Sequence, residues 1–162
     1  MKSIIFYFVL SFSLIAAACN NKDTKENQVA DIETADKAKT ASFIVDGASY
    51  KGNVSTQYFG DKITGQFSVV CQQDEPLALL QAVFKNEKEA AGNLKPAGGF
   101  YSMEPGEAYV ALSGPAIGDK EFITRSNSTG TITVSDKMLT IKDLKLFNSD
   151  NKEKVVNATI TY

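Results

Sequence analysis

The chain has 162 residues, a formal charge of 17 − 19 = −2, two cysteines, and neither histidine nor tryptophan. Without histidine, a triad with a histidine base, a histidine-bearing zinc site and haem ligation through histidine are all excluded. The charges show no basic patch and no acidic run, so nucleic-acid binding has no electrostatic support.

Lys2 opens the chain with a positive charge, and Ile4 to Ala18 follow without any. That run is about half to three quarters of what a stable transmembrane helix needs. A positive start, a short apolar middle and small residues at the end describe a secretory signal peptide over residues 1–18. The quartet "AAAC", Ala16 to Cys19, resembles the lipobox of bacterial lipoproteins, with Ala16 where leucine is usual and Leu14 and Ile15 just upstream. Relaxed boxes of this kind are familiar in Bacteroidota-type lipoproteins. The resemblance implies cleavage between Ala18 and Cys19, a diacylglyceryl group on the Cys19 thiol and acylation of the new amine. Two or more acyl chains hold a protein to a membrane for practical purposes indefinitely. The partner implied is therefore the membrane, through covalent lipid on Cys19, and the place is the outer membrane, at the cell surface or the periplasmic face. Two other readings stay open: an ordinary signal peptide cut near Ala18 with Cys19 incidental, and a retained transmembrane helix.

Removing the signal leaves 162 − 18 = 144 residues, enough for one ordinary domain and a tail. Residues 19–40 read as the tail. After Cys19 they are charged, almost free of aliphatics and without an aromatic, with four lysines against five acids. Such a segment buries too little apolar surface to offset the entropy of ordering, which predicts a flexible tether. Lys22 and Asp23, close behind the cysteine, resemble the surface-export signal of Bacteroidota lipoproteins, although the usual run is more acidic.

The folded domain is expected over residues 41–162. In "SFIVDGASYKG", Asp46-Gly47 lies between two extended runs and predicts a hairpin with a type I′ turn. Ile63 to Gln72 alternates, with Ile63, Gly65, Phe67, Val69 and Cys71 on the buried side of one strand. The segment from Asp74 to Gly92 fits a helix by propensity and a buried strand by its apolar run; the reading adopted is a strand over 77–84 and a short helical turn over 86–91. Short strands are expected near 100–102 and over 108–112, about a Pro105-Gly106 turn. "GTITVS", "MLTIKDLKLF" and "KVVNATITY" are three more, the middle one changing phase so that a β-bulge is expected near Asp143. About eight strands with at most one short helix imply a mainly β fold, an antiparallel β-sandwich or partly closed barrel. The stretches "FIVDGASYKG", "GGFYSM" and "TGTITVS" resemble those of small β-sandwich lipoproteins of unknown function in Bacteroidota, a likeness that implies a fold and a location but no reaction.

Candidate chemistry is sparse. Gly98-Gly99 lacks the lysine and following helix of a phosphate loop, so a turn is the better reading. "NSDNKEK", Asn148 to Lys154, clusters oxygen ligands without EF-hand spacing and reads as a polar hairpin loop. Asp74 with Glu75, and Glu104 with Glu107, are turn acids too close in sequence to face one another across a glycosidic bond. Cys71 reads as a small buried residue without a disulfide partner once Cys19 is lipidated. Tyr58 and Phe59, in the turn-rich "STQYFGDK", are the expected ligand contacts, since exposed loop aromatics are favoured binding anchors. Tyr101 and Tyr109 have the same two readings, ligand or core, with core preferred. The expectation is a lipid-anchored binding module for a glycan, an envelope polymer or a protein, not an enzyme, with no cofactor and no metal. The alternative is an accessory or structural subunit of a cell-envelope complex, using a sheet edge or face.

Overall fold

The computed structural model describes residues 39–162. The expected signal peptide, the Ala18–Cys19 cleavage and lipidation site, Lys22, Asp23 and the tether up to residue 38 lie outside the described residues.

Alternation builds ten strands: β1 (Thr40–Val45), β2 (Ala48–Phe59), β3 (Gln66–Gln73), β4 (Ala78–Phe84), β5 (Gly92–Pro96), β6 (Glu107–Ser113), β7 (Phe122–Ile123), β8 (Thr131–Ser135), β9 (Met138–Phe147) and β10 (Glu153–Thr161). Among the described residues there is no helix. The β1–β2 turn has positive φ at both Asp46 (49°) and Gly47 (87°), as a type I′ turn requires. Asp46 also ties the turn to β10, its carboxylate accepting the Val155 N–H at 2.9 Å and pairing with Lys154 at 3.1 Å.

The strands run in the order β10-β1-β2-β3-β4-β6-β5-β8-β9, and β9 pairs back onto β10. This closes a nine-stranded barrel, mixed because β5 and β6 are parallel, with β7 as an extra strand joining β6 to β9. Closure removes the long free edges that an open sheet would leave. Every second residue of each strand points inward, and the interior is filled by fully buried side chains, Phe43, Phe67, Phe84, Leu80, Leu139 and Ile160 among the largest. Cys71 is one of these interior residues, with no exposure at all. The bulge falls where the phase change places it: Leu144 pairs with Val156 but Ile141 with Ala158, and Asp143, at φ 49°, donates its N–H to the Asn157 side chain at 2.9 Å.

Three expectations are corrected. Ile63 is not on the buried side of β3 but in the turn before it, because the Asp61 carboxylate accepts the N–H of Ile63 at 2.8 Å and of Thr64 at 3.1 Å. These bonds curl the chain before strand pairing resumes at Gln66. Residues 86–91 make turns and not a helix: Asn86 caps the Glu89 N–H, Ala90 bonds back to Glu87, and Gly92 at φ 75° then opens β5. Residues 100–102 are not a strand; they belong to a segment that leaves the barrel wall.

An exposed aromatic patch as candidate functional site

Parallel neighbours in a sheet need a long crossover. Here β6 starts beside the point where β5 ends, with Lys95 opposite Glu107 and Pro96 opposite Ala108. Residues 97–106 are therefore free to arch outward, clamped at the base by the bond from the Ala97 N–H to the Ala108 carbonyl at 2.8 Å. The arch folds down on the outer face of β4 and β6. There Val83, Ala97 and Met103 form a second, small buried cluster, with Phe100 and Tyr109 packed at its margin.

Phe100 is the hub of this outer face. Its ring meets Tyr109 at 5.5 Å and 85°, Tyr101 at 5.0 Å and 83°, and Phe59, at the end of β2, at 6.1 Å and 81°. All three are edge-to-face contacts, the favoured geometry for aromatic rings. The Phe100 carbonyl also accepts a hydrogen bond from the Gln66 side-chain amide at 3.2 Å, so the arch is fastened to β3. What the hub supports is open to water: Tyr101 is 97% exposed and Phe59 43%. Ile63, four residues beyond Phe59 in the same hairpin, is 82% exposed. An aromatic and an aliphatic held almost wholly in solvent, on supports with defined hydrogen bonds, are what a contact surface presents.

Tyr58 and Phe59 do not share a face. Alternation puts them on opposite faces of β2: Phe59 joins the outer patch, while Tyr58 turns toward the barrel end. There Tyr58 packs against Phe67 at 5.2 Å and donates its hydroxyl to Glu87 at 2.7 Å. Tyr101 is likewise outside the core, contrary to the sequence preference. Tyr109 is half-buried, and burial, with Glu121 nearby, pushes its hydroxyl pKa up, so it stays neutral. Sequence reasoning missed Phe100 and undervalued Tyr101 and Ile63. The signal available was "GGFYSMEPG", two aromatics inside a run of turn formers.

The other candidates close off. In "NSDNKEK", the buried Asn148 oxygen accepts the N–H groups of Asp150 and Lys152, both at 2.9 Å, and Lys120 holds the Asp150 carboxylate. That hydrogen bond draws the Asp150 pKa below its ordinary value. Those oxygens serve the loop and are not gathered for a cation. Among the described residues, no three of His, Cys, Asp and Glu come close enough to hold a metal ion. A shallow groove of about 380 Å³ over β5, β8 and β9 is lined by Asn93, Thr131, Thr133, Thr140 and Lys142. No carboxylate lines it, so it offers no pair for acid–base work. Searched against known protein families, curated proteins and solved structures, the chain finds no match in any of the three.

Proposed function

We propose that this protein is a membrane-anchored lipoprotein whose barrel is a binding module for an envelope component. Cys19 carries the lipid and the patch of Phe59, Ile63, Phe100 and Tyr101 makes the contact. The observation that carries the reading is Tyr101, which stands 97% exposed on the edge of a fixed aromatic hub. A rigid ring in water gives contact area at little cost in conformational entropy, as binding anchors do. Glycan, envelope polymer and protein are the ligand classes such a surface admits.

No catalytic role enters this reading. The interior is filled, and the groove over β5, β8 and β9 lacks an acid–base pair.

The experiment is cosedimentation of the mature protein, freed of lipid, with isolated envelope fragments. The parent chain is expected in the pellet. A Tyr101→Ala, Ile63→Ser double variant is expected in the supernatant with an unchanged melting temperature. Equal sedimentation of the two would remove the patch from the account.

A further inference from the structure

The place where the anchor joins the barrel bears on what the patch meets. The described chain begins at Lys39, whose carbonyl accepts the Val54 N–H at 2.7 Å. Because β1, β2 and β3 pair antiparallel, the end at which β1 starts is also the end at which β2 finishes and β3 begins. From Val54, β2 runs on to Phe59, roughly 17 Å further toward that end at the usual rise per residue. The β2–β3 hairpin with Ile63 therefore projects past Lys39, at the end of the barrel where β1 begins. The Asp46-Gly47 turn and Leu77 lie at the opposite end.

We infer that the exposed patch seats on the surface of the bilayer that holds the Cys19 lipid, as a second, reversible membrane contact. This rests on the reading of the chain as a lipoprotein, and it names the partner of the same patch. Nineteen residues separate Cys19 from Lys39, a length of chain whose covalent reach is at most about 70 Å. On that leash the near rim of the barrel samples the bilayer at an effective concentration of about millimolar, so even a weak contact is populated. The far rim lies a further strand length away, roughly 25 Å.

The chemistry of the patch agrees. Sugar stacking asks for planar rings, yet one of the two most exposed hydrophobes of the patch is Ile63, an aliphatic at a hairpin tip. An exposed aliphatic tip and an exposed tyrosine whose ring is apolar and whose hydroxyl is polar, both carried toward the same end of the barrel, match the boundary between acyl chains and headgroups. The four patch residues are uncharged, and the tip beside Ile63 carries one charge of each sign, Asp61 and Lys62, so it brings no net charge to the contact.

Because the chain has no tryptophan, a single one is a clean reporter. Full-length lipidated protein carrying Tyr101→Trp is reconstituted into phosphatidylcholine vesicles, with and without brominated acyl chains. A second preparation carries Leu77→Trp, which reports from the opposite end. Seating of the patch predicts blue-shifted emission and bromine quenching for Tyr101→Trp alone, both abolished by adding Ile63→Asp and both unchanged by raised salt. Water-like emission from Tyr101→Trp, or equal quenching at the two positions, overturns the inference; the first result leaves a glycan or protein as the ligand of the patch. Absence of lipid on Cys19 by mass would instead overturn the lipoprotein reading itself.

Discussion

Asp61 shows how one side chain sets the shape of the patch. Its carboxylate accepts the N–H groups of Ile63 and Thr64, and those bonds hold its pKa below the ordinary 3.8. A lowered carboxyl pKa stabilises the turn fully above the ordinary value, and the contribution is lost as pH falls through the lowered one. The tip that displays Ile63 should therefore stay ordered at neutral and mildly acidic pH and loosen below about pH 3.8. Amide exchange of Ile63 and Thr64, followed against pH, checks this; protection that rises on acidification would contradict it. Tyr101 and Phe100 separate contact from support. Tyr101→Ala removes a ring that is 97% exposed and should change stability by less than about 0.5 kcal/mol. Phe100→Ala empties the hub of three ring contacts and should cost about 2 kcal/mol in urea unfolding. Equal costs for the two would mean that the hub is not a support. Cys71 tests the interior. Burial leaves its thiol with no exposure and a raised pKa, so alkylation at pH 8 should proceed only after denaturation.

Among the strands, β2 carries the sharpest constraint. It pairs with β1 up to Asn53 and with β3 from Asn53 onward, so the sheet coils at this point. Gly52 lets the backbones approach: a Cβ there would lie 2.0 Å from the Gln72 carbonyl oxygen. Gly52→Ala should destabilise the barrel by about 3 kcal/mol, read as a lowered urea midpoint with the slope unchanged. A neutral substitution would show that the approach relaxes at no cost. The same strand shows what was legible beforehand. The Asp46-Gly47 turn, the inward side of β3 from Phe67 to Cys71, and the bulge at Asp143 all follow from local signals, period two and turn residues. Ile63 extended the period-two pattern by chance, and only the bonds from Asp61 reveal the turn. The arch over 97–106 was not legible, because it depends on β5 and β6 lying parallel and staggered, a pairing between segments that no local pattern encodes. Local pattern alone therefore predicts a strand at Phe100 and Tyr101, with Tyr101 in the core, whereas one is the hub and the other the most exposed aromatic of the patch.

Taken whole, the barrel is closed by nine strands and filled by its own side chains, so the binding role proposed above would fall to its outer wall. The outer wall is apolar at the aromatic arch, and that arch stands toward the end of the barrel at which β1 begins. A small barrel on a lipid needs no pocket: anchoring raises its local concentration, and a modest apolar contact then suffices. This account depends above all on Cys19. The most direct measurement is the intact mass of the protein extracted from membranes, beside that of a Cys19→Ala variant. The account predicts a chain that begins at Cys19 and carries the added mass of its acyl groups, while the variant lacks that mass and leaves the membrane fraction. A mature chain that begins elsewhere, or one that begins at Cys19 with no lipid mass, would contradict it.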